Sequence, residues 1–394
     1  MANSIRRLAL TILAVTGLAA MAQAADTTGI TDTTIKIGIP GPMTGPNSSF
    51  GAAVYGVQSI YRYYNDQGGV NGRKFDVIIG DTACNEAKGV AVAKKLISQD
   101  QVFLINGGVC SGVALAMKPV IAEAGVPWVV STAANQHISS PVVPTIFHAI
   151  QTSLDMGVSM AKFAVSKPGV VRIAIIEHTN EWAKGYRDPA VEYLKSKGLE
   201  PVAEVTLERG QTDATAQVLK LKEVKPDFIL VILYEPELAV FLRDAHKYAL
   251  GVPMVGSLGA DFQSTQNRLG GPDAMKGFYM GFLYKALTDS PRMKKWHDIV
   301  AKYLPEGEKL TDYSFYGAGS AIAVVHVLES LGRDVTRERL VEVMNKLHDF
   351  DTEILAGTLS FSPTDHLGAQ DLYTIGYDDA GKLSVYSTWG KKAE

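Results

Sequence analysis

The strongest constraint on the fold is a repeated alternation of short, β-branched apolar segments with amphipathic helical segments. Parallel strands joined by helical crossovers produce this pattern, because consecutive parallel strands need a long connection across a face of the sheet. The alternation runs to about residue 150 and starts again near residue 170. We therefore predict an α/β protein with two lobes, each an open, mostly parallel sheet flanked by helices.

The predicted elements form two consecutive sets. The predicted strands of the first set cover 35–39, 75–81, 102–106 and 128–131. After the segment 145–150 the second set begins, and its predicted strands cover 170–177, 200–207, 228–234, 251–257 and 277–283. The last hundred residues add two predicted antiparallel strands, at 357–362 and 372–377. The predicted helices cover 50–65, 86–98, 112–124, 182–197, 212–224, 236–248, 292–303, 314–331 and 336–347.

The first 24 residues have the organisation of a secretory signal peptide. Arg6 and Arg7 precede an apolar run from Leu8 to about Ala20, and a small-x-small cleavage site follows at residues 22–24. The run is shorter than the ~20 residues of a membrane-spanning helix, so a cleaved leader is favoured over an anchor. We expect no later run to span a bilayer. The remaining residues, about 370, exceed one core of ordinary size and predict two domains.

Charge and motif content exclude several function classes. The formal net charge of −3 gives a nucleic-acid partner no electrostatic support. No phosphate-binding glycine motif follows a predicted strand, and the eight histidines form no close cluster, so we predict neither a cofactor nor a metal site. The G-x-S-x-G pattern of serine hydrolases has Cys110 at its centre here. These absences favour a binding protein over an enzyme, with a secreted hydrolase that uses Ser111 as the alternative.

The stretch INGGVCSG, residues 105–112, allows three interpretations: a nucleophile, half of a disulfide, or a cradle for a ligand. Cys84 and Cys110 are the only cysteines, and in an oxidising compartment a lone pair usually forms a disulfide, which would remove Cys110 as a nucleophile. Ser111 stands at the N-cap position of the helix predicted for 112–124. A helix N-terminus with a hydroxyl also suits a carboxylate, and the loop at 131–135 would lie beside it.

Four stretches resemble the leucine/isoleucine/valine-binding family of periplasmic substrate-binding proteins, which deliver solutes to ABC importers. They read IGIPGPMTGPNSSFGAAVYGVQ, NDQGGVNGRKFDVIIGDTACNEAKGVAVAKKLI, NGGVCSG and VVSTAAN, and the resemblance extends from about residue 34 to 390. It implies a type I periplasmic binding protein fold, in which two lobes joined by three crossings close on a ligand. It also implies a Cys84–Cys110 disulfide and a soluble periplasmic monomer that serves a permease complex in the inner membrane. Lobe 1 would comprise 25–150 and 284–357, and lobe 2 would comprise 151–283 and 358–394.

The resemblance also implies a set of binding residues. Ser111 would hold the carboxylate of the ligand, and the carbonyl of Ala133 and the side chain of Asn135 would complete that end. The aromatic positions of the family fall on Phe50, Trp182, Tyr234 and either Tyr313 or Tyr316.

One departure from the family bears on the substrate. Amino-acid binders of this family hold the ligand ammonium with an acid, and the corresponding position here is Leu258. An ammonium buried without a counter-charge would be destabilised by several kcal/mol. We therefore expect a hydrophobic or aromatic carboxylate, with Asp261, Glu235 or His178 contacting any ring hydroxyl. An amino-acid binder in which Asp261 restores the acid, and a sensory subunit that presents its ligand to a receptor, remain alternatives.

Overall fold

This computed structural model describes residues 26–285, 291–369, 371–378 and 381–390. The predicted signal peptide lies outside the described residues. Five parallel strands form the first sheet, in the order β2-β1-β3-β4-β5. The strands are β1 (Thr34–Gly41), β2 (Lys74–Asp81), β3 (Leu104–Gly107), β4 (Trp128–Val130) and β5 (Ile146–His148).

The second sheet has seven strands, in the order β12-β11-β10-β9-β8-β6-β7. The strands β6 to β10 are parallel to one another. Strand β11 pairs antiparallel with β10, and β12 pairs antiparallel with β11. The predicted α/β architecture with mostly parallel sheets is therefore confirmed. The strands are β6 (Ile173–Glu177), β7 (Ala203–Thr206), β8 (Phe228–Ile232), β9 (Met254–Gly256), β10 (Phe278–Phe282), β11 (Leu372–Tyr377) and β12 (Leu383–Trp389).

Helices cover the faces of both sheets. Short 3₁₀ turns lie at Ser48–Gly51, Gln136–Ile138 and Pro272–Met275. The α-helices of the described residues are α1 (Ala52–Asp66), α2 (Glu86–Ser98), α3 (Ser111–Glu123), α4 (Ser153–Val165), α5 (Glu181–Ser196), α6 (Thr215–Val224), α7 (Glu235–Lys247), α8 (Phe262–Leu269), α9 (Pro291–Tyr303), α10 (Asp312–Leu331) and α11 (Arg337–Met344).

Helix α10 is the central helix of the first lobe. Two glycines let it lie directly against α1: a Cβ on Gly56 would meet the Ser314 carbonyl oxygen at 1.9 Å, and one on Gly317 would meet that of Ala53 at 2.0 Å. Contrary to our expectation, α10 is long and apolar enough to cross a membrane. However, 83% of that apolar stretch is buried inside the protein, so its composition reflects a position in the core.

The two sheets are connected by three crossings that lie side by side. The chain leaves the first sheet at 149–152, returns at 283–285, and crosses for the third time near 369–371. The Ala356 amide donates to the Leu283 carbonyl at 2.8 Å, and the Gln151 side-chain amide donates to the Ala356 and Asp371 carbonyls. Three parallel connections restrict the relative motion of the lobes to a hinge.

The C-terminal part differs most from our expectation. The strand predicted at 357–362 is wrong, because this segment forms only isolated bridges, and Leu367 pairs with His148 at the edge of the first sheet. The Phe147 and Phe361 rings meet there at 5.3 Å. Our division into lobes stays a proposal, and these contacts favour a last boundary near residue 370 rather than at 357. The sequence analysis also missed α4, α8 and β12.

Candidate ligand-binding cleft

The cleft between the lobes lies at the point in each sheet where the strand order reverses. In the first sheet the chain passes from β1 outward to β2 and then back to β3, so the turns after β1 and β3 diverge. In the second sheet the turns after β6 and β8 diverge in the same way. Ligands of open α/β sheets bind at such switch points, beyond the carboxyl ends of the strands. All four turns meet in this protein.

The space between these turns is about 470 Å³, which includes the mouth that opens to solvent. No charged side chain lines it among the described residues. The lining is apolar and aromatic, with a few hydroxyls at one end and on its walls. It consists of Phe50, Val109, Cys110, Ser111, Thr132, Ala134, Ile150, Trp182, Tyr186, Tyr234, Leu258, Gly259, Tyr313 and Tyr316.

Ser111 lies at the polar end of the cleft, where α3 begins. The helix starts at Ser111 itself, so the N-cap residue is Cys110 rather than Ser111 as the sequence predicted. The Ser111 hydroxyl is 2% exposed and accepts a hydrogen bond from the Asn135 amide at 3.2 Å. Because that bond uses an acceptor site, the hydroxyl proton can be donated toward the cleft.

The Cys84–Cys110 disulfide fixes the position of this turn. The two Cα atoms are 5.7 Å apart, as disulfide geometry requires, and the predicted pairing is confirmed. Cys84 has a left-handed backbone conformation, with φ of +54°. The bond therefore joins a conformationally restricted turn after β2 to the residue that caps α3.

Asp81 connects the same turn to the loop before Phe50. Its carboxylate accepts hydrogen bonds from the amides of Met43, Thr44 and Ala83, from the Thr44 hydroxyl and from the Lys88 ammonium. Burial alone would raise the pKa of Asp81, but these donors outweigh it and hold the pKa well below its usual value. Asp81 thus stays ionised and holds the T-G-P turn in place.

Aromatic rings from both lobes meet across the cleft. The Phe50 ring, from the first lobe, lies 5.5 Å from Tyr234 and 5.0 Å from Tyr313. In the second lobe Trp182 stacks on Tyr234 with 4.3 Å between centroids. The lobes are therefore closed on each other, with stacked rings as the wall of a narrow slot.

Two neighbours hold this wall in position. The His178 imidazole accepts from the Tyr234 amide at 3.0 Å and contacts the Leu207 carbonyl at 2.7 Å. Burial lowers the pKa of His178, so the ring is neutral at ordinary pH. A Cβ on Gly259 would meet the Leu233 carbonyl oxygen at 2.2 Å and the Trp182 ring at 2.7 Å, so only glycine allows this close approach.

Two expected residues lie one position away from the cleft. Ala133 is fully buried behind it, and Thr132 and Ala134 line it instead. The Asn135 side chain accepts from the His137 amide at 2.9 Å and donates to the Glu181 carbonyl at 3.1 Å, so it connects the lobes without lining the cleft. The expected register of this loop was therefore shifted by one residue.

Asp261 is turned away from the cleft and fastens the two lobes. Its carboxylate accepts from the Ser264 amide at 2.6 Å and from the Asp312 amide, at the start of α10, at 2.9 Å. In return the Asp312 carboxylate accepts from the Phe262 amide at 3.2 Å, at the start of α8. Each aspartate thus binds the first amide of the helix in the opposite lobe, and we call this pair the aspartate clasp.

The clasp brings two carboxyl groups together in a buried place. Burial, and then the charge of Asp261, raises the pKa of Asp312 to about 7, and burial also raises the pKa of Asp261. The Tyr284 hydroxyl donates to Asp312 at 2.6 Å. Asp261 therefore acts between the lobes, and neither it nor Glu235 nor His178 is among the residues that line the cleft.

Sequence reasoning missed several lining residues, although one carried a signal. Tyr186 follows Trp182 by four residues on α5, which places both on one face of the helix. Tyr313 and Tyr316 were expected as alternatives, and both line the cleft from α10. The sequence gives no comparable signal for Thr132, Ala134 and Ile150. Small and aliphatic residues at strand ends are as common in protein cores as they are in binding sites.

Sequence comparison identifies the family. The periplasmic binding protein family matches residues 34–382, which is most of the chain. The chain belongs to this family. Its members bind small molecules and work with ABC transporter permeases, so this chain is a substrate-binding protein of the ABC transporter type and not a member of an enzyme family.

Curated relatives match nearly the whole chain at low identity. An amino acid binding protein of Pseudomonas aeruginosa is 24% identical over 349 residues, which cover 88% of this chain and 91% of the relative. A leucine-, isoleucine-, valine-, threonine- and alanine-binding protein of the same organism is 26% identical over 391 residues, which cover 97% of this chain and 95% of the relative.

Solved structures share the fold. A fatty acid ABC transporter substrate-binding protein from Thermomonospora curvata gives a TM-score of 0.81 at 21% identity, covering 93% of this chain and 95% of that one. A leucine binding protein from Thermotoga maritima gives 0.78 at 21% identity, covering 91% and 99%. A solute binding protein from R. palustris in complex with 4-hydroxybenzoate gives 0.75 at 22% identity, covering 91% and 97%. One fold thus holds chemically different ligands.

Proposed function

We propose that this protein captures a carboxylate with an apolar, aromatic body in the periplasm and delivers it to an ABC importer. The observation that carries the proposal is the composition of the cleft: stacked aromatic rings from both lobes, one polar end at Ser111, and no charged side chain among its described lining residues. Such a slot buries a flat apolar ligand by closure of the lobes.

The surroundings of the polar end favour an anion over a cation. The first amides of α3 point from the helix N-terminus at Ser111, where the helix dipole is positive. Arg209 lies over the Tyr234 ring, 5.4 Å from its centroid, and its guanidinium binds the Asn47 side chain of the opposite lobe. A carboxylate is therefore favoured by the helix terminus and the Ser111 hydroxyl, and Arg209 adds a positive charge beside the aromatic wall.

An amino-acid ligand is the second candidate, because both curated relatives described above are amino-acid binders. Its ammonium group would need a carboxylate in contact, since a buried charge without a partner is strongly destabilised. The nearest candidate, Asp261, is occupied by the aspartate clasp. We therefore rank an amino acid below an aromatic acid.

The first test is calorimetric titration of the purified protein with 4-hydroxybenzoate, 4-coumarate, phenylpyruvate and leucine. We expect binding of at least one aromatic acid at micromolar concentration or below, and no heat from leucine. Ligand at 100 times its Kd should also add about 2.7 kcal/mol to the free energy of unfolding, which a melting assay detects. Tight leucine binding without aromatic acids would contradict the proposed ligand and leave the solute-binding role in place.

Ser111→Ala tests the polar end. We expect the variant to bind the aromatic acid roughly tenfold or more weakly, because a hydrogen bond to a charged group contributes about 1.5–3 kcal/mol. Ser59→Ala is the matched control, because Ser59 is a buried serine of α1 that does not line the cleft. Equal affinities of the two variants would mean that the carboxylate does not contact Ser111.

A further inference from the structure

One hydroxyl in the cleft has no hydrogen-bond partner in the described part of the protein. Tyr316 lines the cleft, is 1% exposed, and its hydroxyl oxygen is buried without a partner. A buried hydroxyl without a hydrogen bond destabilises a protein, and phenylalanine would fill the same space without that penalty. Packing within the protein therefore does not explain why this position has a tyrosine rather than a phenylalanine.

The other tyrosines of the cleft differ from Tyr316 in this respect. The Tyr313 hydroxyl donates to the Leu258 carbonyl at 3.4 Å, and the Tyr234 hydroxyl accepts from the Asn180 side chain at 3.5 Å. The Tyr186 hydroxyl donates to the Met156 sulfur at 3.6 Å. Three of the four cleft tyrosines thus use their hydroxyls within the protein, and the Tyr316 hydroxyl has no such partner among the described residues.

We propose that Tyr316 is a specificity-determining residue, whose hydroxyl forms a hydrogen bond with a neutral hydroxyl group on the body of the ligand. The inference rests on the proposed function, because it assumes a carboxylate held at Ser111 with an apolar body in the slot. It narrows the ligand from any aromatic carboxylate to one that carries a ring hydroxyl.

The charges near Tyr316 determine which second group is acceptable. The aspartate clasp, Asp261 and Asp312, lies close enough to act electrostatically on the Tyr316 hydroxyl. The negative charge that remains on the pair while Asp312 is protonated disfavours a second carboxylate on the ligand. An ammonium would need direct contact with an acid, which the lining does not provide. A neutral hydroxyl group on the ligand can donate to the Tyr316 oxygen, and neither of these two objections applies to it.

The test compares benzoate with 3- and 4-hydroxybenzoate by calorimetry on the unmodified protein, on Tyr316→Phe and on Tyr61→Phe. We expect the unmodified protein to bind at least one hydroxybenzoate about tenfold or more tightly than benzoate. Tyr316→Phe should lose this preference and keep or improve its affinity for benzoate. Tyr61→Phe is the matched control, since the buried Tyr61 hydroxyl bonds to Asn106 in the core, and it should keep the preference.

A second measurement separates the possible failures. Without ligand, Tyr316→Phe should melt at the same temperature as the unmodified protein or at a higher one. Tyr61→Phe should melt at a lower temperature, because it loses the hydrogen bond between the Tyr61 hydroxyl and Asn106. A large fall in melting temperature for Tyr316→Phe would show that the hydroxyl has a structural role and overturn the inference. An unchanged preference in Tyr316→Phe would overturn it and leave the proposed function standing. No binding of any of the three benzoates to the unmodified protein would overturn the inference, and no binding of 4-coumarate and phenylpyruvate as well would overturn the proposed ligand class.

Discussion

Replacing Cys84 and Cys110 together with serine should lower the free energy of unfolding by about 3 kcal/mol, the largest stability effect that we expect from a pair of substitutions. The disulfide closes a loop with a sequence separation of 26, and its loss returns that conformational freedom to the unfolded chain. Urea unfolding, followed by tryptophan fluorescence, measures the effect. The unmodified protein treated with a reducing agent should reach the same midpoint.

The same pair of substitutions should also weaken ligand binding. Cys110 lines the cleft and caps the helix that begins at Ser111, so its release loosens the polar end. The double variant provides its own control, because a reducing agent should change neither its stability nor its affinity. If the double variant unfolds at the midpoint of the oxidised protein, the disulfide stabilises neither the fold nor the turn.

Raising the pH from about 5.5 to about 8 should weaken ligand binding by roughly tenfold, because closure of the lobes holds a proton on the aspartate clasp. Closure brings Asp312 against Asp261 and raises the pKa of Asp312 to about 7 from its ordinary 3.8. A group whose pKa is higher in the closed form favours that form while it stays protonated. The closed form therefore loses this advantage as the pH rises through about 7, and the loss levels off above it. Titrations at several pH values, with one ligand, measure the dependence.

Asp312→Asn should remove most of this pH dependence. An asparagine at this position can still accept from the Tyr284 hydroxyl and can donate to Asp261, as the protonated acid does. Of the other groups that face Asp312, Glu235 is paired with Arg268 at 2.7 Å. Among the buried groups near the cleft, burial lowers the pKa of His178, whereas it raises that of Asp312.

Glu177→Gln is the matched control for that experiment. Burial, opposed in part by Arg187, raises the pKa of Glu177 to about 7 as well, but Glu177 and Arg187 belong to the second lobe alone. Its protonation is therefore the same whether the lobes are open or closed. We expect Glu177→Gln to keep the full pH dependence of binding. A pH dependence that survives in Asp312→Asn would rule out the clasp as its source.

The architecture could be predicted because hydrophobic pattern and chain order determine it directly. The four predicted strands of the first set and the five of the second reappear in the sheets, since apolar β-branched runs between helical segments leave few other arrangements. The segment 357–362 has an equally apolar alternation, but it forms only isolated bridges to residues near it in the chain, such as Phe350 and Ala369. Local pattern does not distinguish a strand of a sheet from an extended segment that makes single bridges, because the difference depends on which backbone lies beside the segment.

The cleft was predictable in its aromatic parts and not in its polar parts. Phe50, Trp182 and Tyr234 were expected because the resemblance to the family implied them, and all three are among the lining residues. The loop at 131–135 consists of small residues whose register no local feature fixes, so Ala133 and Asn135 were expected where Thr132 and Ala134 lie. The role of Asp261 depends on Asp312, which is 51 positions later and in the other lobe.

The order of elements along the chain has a consequence for how the protein is made. The first sheet is complete at residue 148, but α9 and α10, which pack on its helix α1, begin only at Pro291. The second sheet gains its last strands at 372–389. During synthesis, the first core therefore cannot close before α10 is made, and the second sheet cannot be complete before residue 389, so folding depends on contacts between distant residues, which form slowly. We expect the first lobe to remain open until α10 has been synthesised, although its sheet is complete at residue 148.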